Sequence, residues 1–256
     1  MKLYTTRHLV ITGVLTFLVS LSMILFFLPR ERQRAMNYED LVLGVYDTAA
    51  LAVVRVFAAT DERTGTGNNG MPLQSVPAGG SGVLIDSEGH IVTSLHVVEG
   101  LDTLRVSDTA GSVFEARVIA TRESSDLALL RADLPESHPF RPVEIAASDA
   151  LRVGQLAFVI GNPYALGRSL TSGVVSAVNR VIYVDEQTVF RNMIQTDAAV
   201  NPGSSGGGLF DSSGRLLGIV SVLYSTQGGS MGIAFAVPAG DVQALVDSSR
   251  ALESVQ

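Results

Sequence analysis

From Gly82 to Val237, short apolar or alternating runs follow one another about every ten residues, with turn residues between them. They are "GVLI", "HIVTS", "TLRV", "VFEARVIA", "LALLRA", "LAFVIG", "SLTSGVVSAV", "TVFRNMIQ", "RLLGIVSVLY" and "GIAFAV". That spacing argues against βαβ units and predicts an all-β fold, a barrel or a sandwich. Upstream, "LAVVRVFA" (Leu51 to Ala58) reads as a further strand and Glu39 to Ala50 as a brief helix. Between that strand and Gly82, Thr60 to Gly80 is rich in Gly, Asn and Pro without hydrophobic period, the mark of a long loop. At the other end, "AGDVQALVDSSRALESVQ" has helical spacing at Val242, Leu245, Val246 and Leu252.

The N-terminus is of another kind. Leu9 to Leu28 runs twenty residues without a charge, about 30 Å as a helix, the thickness of a bilayer core. The run ends in "FFLPRERQR", which offers no small-x-small cleavage site, so an uncleaved anchor is expected in place of a removed signal peptide. Lys2 and Arg7 precede the span and Arg30, Arg32 and Arg34 follow it, so basic flanks leave its orientation open. Residues 1–36 are read as anchor and tether, and 37–256 as the folded domain.

Composition removes several chemistries. The chain has no cysteine, so thiolate catalysis, disulfides and Cys-ligated zinc are excluded. Its one lysine, Lys2, leaves neither a Walker-type phosphate loop nor a Ser-Lys dyad elsewhere. Beyond residue 36 stand 24 acidic residues against 13 arginines, a net of −11 with histidines neutral. Nucleic acid is therefore not an expected partner.

Against that background "VNPGSSGGGL" (Val200 to Leu209) reads as a hairpin turn with incidental serines, or as the seat of a nucleophile. A serine needs a base, a group orienting that base, and donors for an oxyanion. Gly203 allows close approach of a carbonyl to backbone N–H groups, and Gly206 and Gly207 leave room beside a hydroxyl. Of four histidines, His8 precedes the apolar span, His90 sits in a turn-like "DSEGHIV", and His138 lies in a proline-bounded loop. His96, at the end of the apolar strand in "IVTSLHVVEG", is the candidate base. Asp126, alone at the head of "LALLRA", is either a strand-capping residue or the orienting carboxylate, which would need a buried partner.

The chain order His96, Asp126, Ser205 in an all-β setting is that of chymotrypsin-like proteases. "GSGVLIDSEGHIVTSLHVVEG", "SSDLALLRA", "IGNPYALGRSLTSGVVSAVNR", "IQTDAAVNPGSSGGGLF" and "GIAFAVP" together resemble the HtrA/Deg family of serine proteases, nearest its membrane-anchored, DegS-like form. The resemblance runs from about Val53 to Asp241. It implies a chymotrypsin-like double β-barrel (about 48–145 and 146–240) followed by a C-terminal helix. The implied chemistry has His96 as general base, Asp126 as orienter and Ser205 as nucleophile, with the backbone N–H groups of Gly203, Ser205 and also Ser204 at the oxyanion. Cofactors and metals are not implied.

It further implies protein or peptide substrates, cleavage of misfolded or regulatory envelope proteins, a homotrimer, and a periplasmic domain held to the inner membrane through residues 9–28. The primary specificity pocket would have Ala199 at its floor with Val200 beside it. Tyr164 and Arg180 match a regulatory relay of the DegS-like members, and Pro202 is a candidate for stiffening the same loop. The sequence departs from the family at Ser204, where asparagine is usual, at Gly208, and in "TSL" before His96. A form lacking a PDZ domain is expected. The other reading is a catalytically silent protease-like binding or scaffold module; a third is a plain β-domain whose glycine stretch is only a turn.

Overall fold

A computed structural model describes residues 2–58, 79–101, 103–108, 111–135, 138, 140–147, 151–224 and 229–253; side chains of residues 2–7, 9, 10 and 24–37 lie outside that set. The chain divides into two compact units, residues 1–43 and 44–256.

The larger unit is built on two closed antiparallel barrels. The first comprises β1 (Val53–Ala58), β2 (Gly79–Leu84), β3 (His90–Ser94), β4 (Leu104–Ser107), β5 (Val113–Arg122) and β6 (Leu127–Ala132), in the order β1-β2-β3-β6-β5-β4. The second comprises β7 (Leu156–Gly161), β8 (Ser169–Tyr183), β9 (Val189–Thr196), β10 (Gly208–Phe210), β11 (Leu216–Leu223) and β12 (Ala234–Pro238), in the order β10-β11-β12-β9-β8-β7. Closure explains why alternating and wholly apolar runs coexist. β4 alternates, with Leu104 and Val106 inside and Arg105 and Ser107 less buried. β3 and β6 are buried on both faces, because outer surfaces there are covered as well. The second core gathers Val159, Val175, Ile194, Leu209, Val220 and Ala236.

Helices depart from expectation in three places. α1 runs unbroken over Lys2–Ala49 where a polar tether and a brief helix were expected. Residues 31–43 contain no glycine or proline and are rich in Glu, Arg, Leu and Met, which favour continuation. The strand expected to carry His96 stops at Ser94, and His96 lies in the single-turn α2 (Leu95–Val98). α3 (Ala239–Glu253) buries Val242, Leu245 and Val246 as expected, but Leu252 is 69% exposed. The long loop expected over Thr60 to Gly80 falls almost wholly outside the described residues; Gly79 and Gly80 already open β2.

Among the described residues no helix is long and apolar enough to cross a membrane. The span expected over residues 9–28 includes positions 9, 10 and 24–28, whose side chains lie outside them. Within its described part, Ile11, Leu15, Phe17 and Met23 are each more than half exposed.

Candidate active site

The barrels meet where three connections converge. α2 leaves β3 carrying His96, a turn joins β5 to β6 at Asp126, and the link from β9 to β10 carries Ser205. Asp126 adopts a left-handed conformation, φ 50° and ψ 44°, which a short polar side chain tolerates. That turn buries its carboxylate and aims it at α2. Oδ1 accepts the His96 backbone N–H at 3.0 Å, and Oδ2 lies 2.7 Å from His96 Nδ1. The Asp126 carbonyl accepts the Leu95 N–H at 3.0 Å. An ionised carboxylate only accepts, so Nδ1 is the ring's donor and, in the neutral imidazole, Nε2 is the nitrogen with the lone pair. The imidazole is about half exposed and the carboxylate 6%; Nε2 has no partner among the described residues.

Ser221, on β11, was not singled out from sequence. Its hydroxyl donates to Asp126 Oδ2, and its carbonyl lies 3.4 Å from Ser205 Oγ, which donates to it. Ser221 thus stands between nucleophile candidate and orienter. Its signal was a polar side chain inside the apolar run "GIVSVL", a place where a hydroxyl needs a buried partner.

The segment Asn201 to Ser204 is a β-turn closed by the Ser204 N–H on the Asn201 carbonyl, 2.9 Å. Proline at its second position and glycine with φ +93° at its third are the signature of type II. A Cβ on Gly203 would stand 2.8 Å from the Asn162 carbonyl oxygen and 2.9 Å from the Tyr164 nitrogen. The Tyr164 N–H donates to the Pro202 carbonyl at 2.8 Å, and the Gly207 N–H to the Ser204 carbonyl at 2.9 Å. The N–H groups of Gly203 and Ser205 have no acceptor among the described residues. That of Ser204 is spent on the turn, which separates it from the two other amides expected at the oxyanion. Ser204 is 4% exposed, whereas Ser205 is only half-buried.

The remaining expected positions scatter. Ala199 is half-buried and its carbonyl accepts the Thr171 hydroxyl at 2.7 Å. Val200, 2% exposed, belongs to the second barrel's core, and so lines packing more than open space. Tyr164 lies against the Ser205 turn, with φ 54°. Arg180 instead donates through Nε to Gln195 Oε1 at 3.0 Å on the β8–β9 ribbon. His90 is a strand residue, 3% exposed, with Nδ1 2.6 Å from Asp86 Oδ2 and Arg131 3.2 Å from its other nitrogen. A cleft of about 810 Å³ opens beside His96 and Ser221, with Val189, Phe190 and Leu223 also in its lining. An extended chain would find apolar surface there next to the imidazole.

Residues 80–219 match the trypsin-like peptidase domain family. The chain is 42% identical over 182 residues to the periplasmic serine endoprotease DegP of Salmonella typhimurium, covering 71% of this chain and 38% of that protein. It is 44% identical over 179 residues to the chloroplastic Protease Do-like 1 of Arabidopsis thaliana, 69% and 40% of the respective lengths. The HtrA-type protease AlgW with a tripeptide superposes with a TM-score of 0.68 at 32% identity, over 80% of this chain and 62% of that one. The chain thus spans about two fifths of the length of these two curated relatives. The chain belongs to the trypsin-like peptidase domain family, as a homologue of the HtrA/Deg proteases.

Proposed function

We propose that the protein is a serine endopeptidase acting through His96, Asp126 and Ser205. The observation that carries this reading is the pairing of His96 Nδ1 with a buried carboxylate beside a serine whose turn leaves two amides free. Asp126 holds the imidazole in the tautomer whose Nε2 can take the Ser205 proton. The hydroxyl oxygen attacks the scissile carbonyl, and the developing oxyanion is met by the N–H groups of Gly203 and Ser205. The imidazolium then protonates the leaving amine, and water hydrolyses the acyl-enzyme by the same base. The Ser205 hydroxyl bonds only loosely to Ser221, which is compatible with catalytic contacts that tighten when substrate binds.

The cleft beside His96 suits an extended peptide, and Ala199 offers no charge to a basic side chain. Substrates are read as protein chains cut after small or medium aliphatic residues, among them misfolded or regulatory envelope proteins. Residues 37–256 form the protease domain, and residues 1–36 the anchor and tether. A helix with apolar residues exposed around it, as over Ile11 to Met23, suits lipid better than water. The span at 9–28 therefore tethers the enzyme to the inner membrane with its protease domain in the periplasm, where the bacterial relatives are described. Assembly as a homotrimer belongs to the same reading and is checked by light scattering of the full chain in detergent.

The decisive experiment is labelling of the full chain with a fluorophosphonate, together with peptide hydrolysis. Wild type should label and turn over; Ser205→Ala should do neither, and Ser204→Ala should retain both. Labelling that survives Ser205→Ala, or an unreactive wild type, refutes the proposal.

A further inference from the structure

The turn that carries Ser205 is gripped from the opposite barrel by one residue of β2. Ser81, 0% exposed, donates its hydroxyl to the Gly203 carbonyl at 2.8 Å and accepts the Asn162 N–H on the same oxygen at 2.8 Å. Its own N–H donates to the Ser205 carbonyl at 2.8 Å. The strand is held in turn by Thr93, whose hydroxyl donates to the Ser81 carbonyl at 2.6 Å.

We infer that Ser81 is a positioning residue for the oxyanion hole, its hydroxyl setting the Asn162–Tyr164 loop in register with the Pro202–Gly203 peptide. The inference rests on the proposed roles of Ser205 and of the Gly203 and Ser205 amides. A peptide unit is planar and trans, so its C=O and N–H point in opposite directions. Whatever holds the Pro202 carbonyl therefore aims the Gly203 N–H. That holder is the Tyr164 N–H, two residues beyond the Asn162 amide that Ser81 captures. On its other side the same hydroxyl captures the Gly203 carbonyl. One oxygen thus fixes both the loop that supplies the holder and the turn being held. Gly203 lacks a Cβ where loop and turn approach within van der Waals distance, so their relative position rests on these polar contacts. Alanine at position 81 would leave a half-buried carbonyl and a half-buried amide without their shared partner. Relaxation to satisfy them moves either the turn or the loop, and each movement rotates the Gly203 N–H.

A purely structural serine would lower stability alone. A positioning serine lowers kcat at constant KM, because the misaimed donor is used mainly in the transition state. Removing an oxyanion donor outright costs about 10²–10³ in kcat, so Ser81→Ala, which only misaims one, is expected to lose about ten- to a hundredfold. Peptide amide hydrolysis by the full chain in detergent should show that loss with KM within about twofold. The affinity for a peptide boronic acid of the same sequence should fall by the same factor as kcat/KM. Thr196→Val provides the comparison: that hydroxyl is as deeply buried, donates to Val174 at 2.9 Å and accepts the Ala198 N–H at 3.2 Å. It should lower the melting temperature and leave kcat within about twofold.

Should Ser81→Ala not fold at the assay temperature, Ser81→Cys decides by the same measurements, since a thiol donates and accepts only weakly. A kcat within twofold of wild type, a loss confined to KM, or an equal loss in Thr196→Val overturns the inference. A wild type that fluorophosphonate does not label overturns the parent reading instead.

Discussion

Replacing Asp126 by asparagine tests the site with the least change of volume. The carboxylate accepts three donors: the His96 N–H on Oδ1, and the His96 Nδ1–H and Ser221 hydroxyl on Oδ2. An amide has one acceptor oxygen and one NH₂ donor in their place. The backbone N–H of His96 cannot become an acceptor, so the asparagine oxygen must stay in the Oδ1 position. Its NH₂ then faces Nδ1 and Ser221. Ser221 can rotate its hydroxyl and accept. The imidazole can accept only by giving up the Nδ1 proton, which moves the hydrogen to Nε2. In that tautomer Nε2 cannot take the proton of Ser205. The resulting loss in kcat, with side chains otherwise in place, is about 10⁴, or about 5.5 kcal/mol in the barrier at 1.36 kcal/mol per factor of ten. Because the carboxylate is 6% exposed, water cannot readily restore the missing acceptor. Steady-state hydrolysis of a peptide amide should show the loss in kcat, and fluorophosphonate labelling should slow in parallel. Asp126→Asn activity within tenfold of wild type would refute both the tautomer reasoning and the assignment of Asp126.

Three further outcomes are expected. Pro202→Ala frees the second position of the turn before Gly203, worth about 0.4–1 kcal/mol, and should lower kcat about two- to fivefold while lowering the melting temperature by no more than about 4 °C; an unaltered kcat would show that the turn is set elsewhere. Profiling with a peptide library should return Ala, Val or Leu at the cleavage position, since Ala199 itself carries no charge to pair a lysine or arginine buried against it; basic residues there would contradict the pocket. The Asp86 carboxyl feels burial, which pushes its pKa up, but hydrogen bonds from the His90 ring and amide and from the Glu88 amide outweigh it and hold the pKa below the ordinary value, with Arg250 also 3.0 Å away. A depressed native pKa gives stability that is present above the unfolded value and lost as pH falls through the native one. Thermal melts should therefore show stability dropping below about pH 4, a limb that Asp86→Asn should flatten; identical acid limbs would refute this.

Much of the molecule was legible along the chain because its information is local. Runs of alternating and apolar residues at short spacing announced β-strands, and "VNPGSSGGGL" announced a turn or the seat of a nucleophile. The choice of Ser205 over its neighbour Ser204 came with the family resemblance. These patterns depend on neighbours a few residues away, so a linear reading captures them. His90 and His96 show where that stops. Both sit within one β3–α2 stretch, and both hold a carboxylate through Nδ1. His90 was read as a turn residue and proved to be buried in a strand against Asp86, with Arg131 covering its other nitrogen. His96 has a ring nitrogen with no partner among the described residues, because α2 turns the ring out of the barrel. Only the packing around each ring distinguishes them.

The contacts made across the junction were likewise decided by tertiary structure. Ser81 is 122 residues from Gly203, Ser221 is 95 from Asp126, and Ser94, which bonds the Val220 carbonyl, is 126 from it. In sequence each is an ordinary serine in or beside an apolar run. Barrel closure brings them together, and the requirement that every buried hydroxyl find a partner gives each its place. Composition, strand spacing and the order of His96, Asp126 and Ser205 were determined by the sequence alone. Which amides of the Ser205 turn find no acceptor among the described residues, and which hydroxyls hold the carboxylate and the turn, followed only once two barrels had closed and met.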